Sequence, residues 1–129
     1  MERFHYLIIG GGIAGTTAAE TIRQNDAEGS MAIVSDEPHR LYARINLSKP
    51  NFFLGRLSPD LIWLKKESWY DKTGIKFLGG RRAVFVDSSK KELLLEDGEK
   101  IGYGKLLLAI GGTPNKLETA GSTKAGVFH

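Results

Sequence analysis

Leu7-Ile8-Ile9-Gly10-Gly11-Gly12-Ile13-Ala14-Gly15-Thr16-Thr17-Ala18-Ala19-Glu20 decides the fold. The apolar run before Gly10 reads as a buried strand, and the residues after Gly12 read as the opening of a helix. Between them stands Gly-x-Gly-x-x-Gly, whose glycines divide three tasks. Gly10 permits a tight turn, Gly12 lets a pyrophosphate approach bare backbone, and Gly15 lets the helix pack close on the strand. The unpaired N–H groups and the positive end of the helix then face an anion, with Ile13 and Ala14 beside it. The stretch therefore predicts a dinucleotide site.

A second strand and an acid at its end make the motif more specific. Met31-Ala32-Ile33-Val34-Ser35 reads as that strand, and it ends on Asp36-Glu37, about 20 residues beyond the last glycine, where an acid accepts hydrogen bonds from the ribose hydroxyls. Asp36 is the first choice for that role. Glu37 is the alternative, because boundaries read from sequence shift by a few residues, and a solvated turn before Pro38 is the plain reading of both. A carboxylate here also repels a 2'-phosphate, which disfavours NADP in this particular site.

Composition narrows the class. The 129 residues suit one domain with a real core and leave no room for two. A net charge of +3, with basic residues spread along the chain, gives no basis for nucleic-acid binding. No apolar run approaches a membrane span, and the first strand starts too near Met1 to leave space for a signal peptide, so the expectation is a soluble, cytoplasmic protein with no membrane partner. The absence of cysteine excludes disulfides, thiolate metal ligands and a cysteine nucleophile within the chain. His5, His39 and His129 lack metal-ligand spacing, so no metal is expected.

The pattern divides the chain into three segments. A βαβ unit comprises strand Tyr6 to Ile9, helix Ile13 to Gln24 and strand Met31 to Ser35, which implies a parallel, Rossmann-type sheet. Residues 37–74 read as a loop and a helical stretch. Ser58-Pro59-Asp60 opens a helix there, with Leu61, Ile62, Leu64 and Trp69 as its core face and with both tryptophans packing rather than stacking on bases. Then come short strands at Ile75 to Leu78, Arg81 to Asp87 and Glu92 to Leu95, joined by turns at Ser88 to Lys91 and Asp97-Gly98, and a closing apolar strand at Leu106 to Ile110. The fold class is α/β, a Rossmann-like parallel sheet interrupted by a small antiparallel β-meander.

Taken in order, Gly10 to Gly15 with Ala18-Ala19, the turn at Asp36, and Leu107-Leu108-Ala109-Ile110-Gly111-Gly112-Thr113-Pro114 resemble the FAD-binding half of the pyridine-nucleotide-dependent flavoprotein oxidoreductases. The resemblance covers essentially the whole chain. Ile110 replaces the usual Thr or Ser of the last motif, so a hydroxyl contact is lost. The stretch from Asp36 to Lys49 is similar to the flavin-proximal loop of rubredoxin and ferredoxin reductases, apoptosis-inducing factor and the flavin part of NADH-dependent nitrite reductases. Ile45-Asn46 stand where prolines are common, which alters the loop and the surface offered to an electron acceptor.

The resemblance implies that FAD lies extended across Gly10, Gly12, Ile13, Ala14 and Gly15, with its ribose at Asp36 or Glu37. It adds Arg44 beside the cofactor phosphates, Lys49 near the flavin ring as the catalytic candidate, and Val84, Ala109 and Gly111 along the cofactor. A fixed cation at the flavin edge stabilises the reduced ring, whereas two solvated loop cations are the plain alternative. No redox cysteine accompanies the motifs, so disulfide, coenzyme A disulfide and peroxide reductase mechanisms fall away.

The family's second glycine motif, for NAD(P)H, and its Gly-Asp return segment do not occur in these residues. Gly126-Val127-Phe128-His129 resembles the segment before the nicotinamide domain, so the chain reads as a truncated form, a fragment or one piece of a split enzyme, inactive alone. The implied function is the FAD-binding portion of an NAD(P)H-dependent oxidoreductase that passes electrons through flavin to a redox protein or centre. The alternatives are a stand-alone dinucleotide-binding or sensing module and a subunit completed by a partner; a homo-oligomer is compatible with either.

Overall fold

A computed structural model describes residues 1–127. The segment Gly126 to His129 that resembles a domain boundary therefore lies partly outside the described residues. The elements in chain order are β1 (Glu2–Ile9), α1 (Ile13–Asn25), β2 (Met31–Val34), a 3-10 helix at Arg44–Ser48, α2 (Pro50–Phe53), a second 3-10 helix at Pro59–Ile62, α3 (Glu67–Thr73), β3 (Ile75–Leu78), β4 (Ala83–Asp87), β5 (Glu92–Leu95) and β6 (Lys100–Leu108). They form one six-stranded sheet in the order β3-β2-β1-β6-β5-β4. Strands β3, β2, β1 and β6 run parallel, while β5 is antiparallel to β6 and β4 to β5.

The centre of the parallel part is covered on both faces, which is why Leu7-Ile8-Ile9 of β1 and Met31 to Val34 of β2 read as unbroken apolar runs rather than alternating ones. All four residues of β2 are buried. Met31 and Ile33 join Ile8, Ala19, Tyr70 and Ile75 on the face under α1 and α3. Ala32 and Val34 join Leu7 and Ile9, together with Leu93 and Leu95 of β5 and Ile101 and Tyr103 of β6, on the other. Because β5 does not neighbour β2 in the sheet, the meander turns back over this second face. On the helical face Gly15, Thr16 and Ala19 are the buried residues of α1, small enough to let its backbone lie close to β1.

At the far end of α1 an aspartate replaces a glycine cap. Asp26 accepts the N–H groups of Glu28 at 3.1 Å and Gly29 at 2.8 Å on one carboxylate oxygen and the Tyr6 hydroxyl at 2.9 Å on the other. Those bonds, led by Gly29, hold its carboxyl below the usual aspartate range and raise the Tyr6 phenol.

Two sequence expectations are corrected. The proline at Pro59 starts only a short 3-10 helix, Ser58 makes no side-chain cap bond, and Leu61 and Leu64 are 66% and 50% exposed, so they form no core face. The sheet offers that stretch no place to bury them; it is pinned instead by backbone bonds, Ala43 N–H to the Ile62 carbonyl and Leu64 N–H to the Leu41 carbonyl. Trp69, by contrast, packs against the helical-face core as expected, and Trp63 sits under the Arg40 guanidinium. The last strand is also longer at its start and shorter at its end than expected, running from Lys100 to Leu108. Its glycines mark close approach rather than turns: a Cβ on Gly104 would lie 2.8 Å from the His5 carbonyl oxygen.

Candidate functional site

The glycine turn sits at the carboxyl end of β1, between β2 on one side and β6 on the other. From β1 the chain runs through α1 to β2 on one side, while the neighbour on the other side is β6, the last strand in sequence, and ligands of open α/β sheets bind at the carboxyl ends where the strand order changes direction. Gly10 has φ of 119°, and a Cβ there would stand 2.1 Å from the Ala109 carbonyl oxygen. Its N–H donates to the Val34 carbonyl at 2.8 Å. A Cβ on Gly15 would lie 2.0 Å from the Gly10 carbonyl oxygen. Both positions are thus closed by backbone, and only glycine fits.

Gly12 is different. It is the N-cap of α1 with φ −77° and ψ −169°, which any residue adopts, and a Cβ there would meet nothing within 4 Å. Glycine is not needed at this position for folding, and the space in front of it is open. No side chain caps the helix and its first turn holds no acid, so its leading N–H groups remain available to an anion. Ile13 is next, 65% exposed, at the same mouth. This is the local geometry that a dinucleotide pyrophosphate requires, and the residues present fit FAD.

Neighbouring elements close on the turn. The Ala109 N–H donates to the Ile9 carbonyl at 2.8 Å, which brings the end of β6 against the glycines, and Gly111 lies just beyond with φ of 71° and open surroundings. On the opposite flank Gly11 approaches Ser35, where a Cβ would come 3.0 Å from the Ser35 Cβ. Asp36, the next residue, is exposed, with no side-chain hydrogen bond or ion pair among the described residues. Glu37 is already engaged: Arg44 donates to one of its oxygens at 2.8 Å and the Tyr42 hydroxyl to the other at 3.0 Å. Burial and that bond to Glu37 raise the Tyr42 phenol. Of the two acids, Asp36 is the one left open to a ribose.

The cations are placed less simply. The Arg44 guanidinium lies on Glu37 and 5.5 Å from the Tyr42 ring centroid. Lys49 is exposed between the 3-10 helix and α2, joined to the glycine turn by no hydrogen bond among the described residues. Val84 is exposed on β4, at a register irregularity between Ala83 and Phe85.

Residues that sequence reasoning passed over shape this site. The link from β3 to β4 crosses beneath the acidic turn, where the Arg81 N–H donates to the Ser35 carbonyl at 2.8 Å and the Gly80 N–H to the Glu37 carbonyl at 3.1 Å. The signal was Gly79-Gly80, since a Cβ on Gly79 would lie 3.0 Å from the Pro38 carbonyl oxygen and Gly80 has φ of 71°. The same link is anchored by the Arg81 side chain on Asp97 and Glu99, at 2.5 and 2.6 Å.

Residues 4–129 match the family described as pyridine nucleotide-disulphide oxidoreductase. This chain belongs to that family. Members of the family are FAD-dependent NAD(P)H oxidoreductases. The chain is 34% identical over 99% of its length to the 5,5'-dehydrodivanillate O-demethylase ferredoxin reductase subunit of Sphingobium sp., covering 31% of that protein. It is 35% identical over 95% of its length to rubredoxin-NAD(+) reductase of Pseudomonas putida, covering 32% of it. Among solved structures it resembles NADH:rubredoxin oxidoreductase from Clostridium acetobutylicum, with TM-score 0.78 and 32% identity, over 92% of this chain and 30% of that one. The chain thus spans about a third of the length of these relatives. Among the described residues no group of His, Cys, Asp and Glu could hold a metal, and no helix is long and apolar enough to cross a membrane.

Proposed function

We propose that these 129 residues form the FAD-binding portion of an NAD(P)H-dependent oxidoreductase that passes electrons through the flavin to a redox protein or redox centre. The observation that carries the reading is the contrast among the three glycines. Gly10 and Gly15 are jammed against backbone, whereas Gly12 opens onto empty space at an uncapped helix N-terminus. A turn built only for folding has no reason to leave its middle glycine free.

Bound FAD would supply a ring that accepts hydride and releases electrons singly or in pairs. The chain's own residues bind and orient it. The first-turn N–H groups of α1 hold the pyrophosphate, and Asp36 accepts the adenosine ribose hydroxyls. Glu37, fixed by Arg44 and Tyr42, shapes the wall beside Asp36. Ala109 and Gly111 border the path toward the flavin, Val84 belongs to the adenine side, and Lys49 is the cation for the flavin edge. The acceptor is proposed from the relatives: two of the proteins most similar to this chain are named as reductases of rubredoxin.

Titrating the purified chain with FAD while monitoring flavin fluorescence tests the reading, with AMP and NAD as competitors. Saturable quenching by FAD that AMP relieves only weakly supports it. Equal affinity for AMP and FAD would favour a nucleotide-sensing module, and no saturable binding at FAD concentrations up to the millimolar range would refute a flavin site.

A further inference from the structure

Gly15, Thr16 and Ala19 are the residues that α1 buries, and of the three only Thr16 carries a hydroxyl. Its side chain is wholly buried. Packing a helix close to a strand asks for nothing polar there, and a buried hydroxyl has to find an acceptor. A helical threonine ordinarily turns its hydroxyl to the carbonyl four residues earlier. Here the Gly12 carbonyl takes the Thr16 N–H at 3.0 Å, but the hydroxyl reaches past it and donates to the Gly11 carbonyl at 3.4 Å. That carbonyl lies before the helix begins and is the one acceptor the hydroxyl has among the described residues.

The Gly11–Gly12 peptide is trans, and in a planar trans peptide the C=O and the N–H point in opposite directions. A hydroxyl buried between α1 and the sheet holds the Gly11 carbonyl from inside, so the Gly12 N–H of the same peptide is turned away from that contact. It has no acceptor among the described residues. A peptide between two glycines is also the freest to rotate, since neither residue has a Cβ to restrict it. Something other than its own sterics has to fix its plane.

We propose that Thr16 is a positioning residue, whose hydroxyl fixes the Gly11–Gly12 peptide so that the Gly12 N–H donates to the pyrophosphate of bound FAD. The proposal rests on the FAD-binding reading above. It adds to the first-turn N–H groups of α1 one donor from outside the helix, together with the buried side chain that aims it. A phosphate oxygen is the acceptor such a donor suits, because its charge strengthens the bond.

Thr16→Val and Thr16→Ser separate aiming from packing, with FAD titrated by flavin fluorescence and the Gly12 amide followed by NMR. Valine keeps the branched shape and removes the hydroxyl, so FAD affinity should fall about tenfold, near the lower end of what a hydrogen bond to a charged group is worth. Serine keeps the hydroxyl and deletes a buried methyl, so its Tm should drop while its FAD affinity stays within about twofold of the unaltered chain. In the unaltered chain and in Thr16→Ser, the Gly12 amide proton should move downfield as FAD binds. Serine that weakens FAD as much as valine does, valine with unchanged affinity, or a Gly12 amide unmoved by bound FAD would overturn the proposal and leave the flavin reading in place. Absence of saturable FAD binding in the unaltered chain would overturn that reading, and the role of Thr16 with it. If Thr16→Val fails to fold, the affinity of Thr16→Ser and the Gly12 shift decide between the same outcomes.

Discussion

Replacing Gly12 by valine separates binding from folding, and the structure sets both magnitudes. At Gly12 the backbone is already extended and a Cβ would meet nothing within 4 Å, so the folded state has room for the branch point, and the two methyl groups of valine extend from it into that open space. The cost to stability is that of a poorer N-cap residue, about 1 kcal/mol. For a chain of this size that is roughly 4 °C in Tm. Those methyl groups occupy the volume through which a pyrophosphate reaches the α1 N–H groups, so FAD affinity should fall at least tenfold, or about 1.4 kcal/mol.

Gly15→Ala is the opposite case. Its Cβ would stand 2.0 Å from the Gly10 carbonyl oxygen, and α1 must move away from β1 to admit it. Overpacking of that kind costs about 1–3 kcal/mol, with binding lost only as the turn deforms. Thermal unfolding in parallel with FAD titration reads both effects. A folded Gly12→Val protein with unchanged FAD affinity would refute the placement of the pyrophosphate, and an undisturbed Tm in Gly15→Ala would refute the packing argument.

Asp36→Ala should weaken FAD binding by ten- to a hundredfold, the worth of hydrogen bonds to a charged acceptor, and Glu37→Ala by less, because Glu37 is already held by Arg44 and Tyr42; calorimetric titration ranks the two. Glu37→Ala should also bring the Tyr42 phenol down toward its ordinary value, seen by ultraviolet titration, since one cause of its elevation is that hydrogen bond. The Asp26 carboxyl is depressed in the folded state, so its contribution to stability is complete above the ordinary aspartate value and drains away as pH falls through the lower folded value. Asp26→Asn should therefore flatten the acid limb of a Tm–pH profile, and a limb as steep as before would count against that role. NADH oxidation by the 129 residues with added FAD should not exceed that of free FAD, because they contain a single glycine fingerprint and hydride transfer needs a nicotinamide held about 3 to 3.5 Å from the flavin. In an enzyme that joins these residues to a nicotinamide site, Lys49→Glu should lower the flavin midpoint potential, measured by redox titration.

The legible part of the sequence was local. From Leu7 to Ser35 each residue's own preference agrees with its final place: apolar runs that fit strands, glycines where backbones touch, small residues on the buried side of a helix. The βαβ unit, its parallel pairing and the candidate phosphate site come directly from those preferences. Long-range partners were not legible. Lys100 to Lys105 carries two glycines and two lysines, which give no strand pattern until β1 is laid beside them. Leu61 and Leu64 show helical spacing but have no surface to pack on. The pairing of Arg44 with Glu37, seven residues earlier, was not legible either, because nothing in the sequence says that the two would face each other across the folded loop. The bonds from Gly80 and Arg81 to the acidic turn join residues more than forty positions apart, beyond the reach of any periodicity.

Those two bonds bear on the thermodynamics of recognition. A loop that holds a ligand is ordinarily ordered by that ligand, which subtracts from affinity the freedom the loop gives up. Here the acid's turn is fastened from below by amide groups of the main chain, and its geometry belongs to the folded protein whether or not a nucleotide is near. The entropy of fixing Asp36 is spent once, during folding, and no part of it recurs at each binding event. Nucleotide association should accordingly show little change in amide exchange at residues 35–37, and its affinity should respond more to loosening the Gly79–Arg81 link than to many substitutions nearer the ribose.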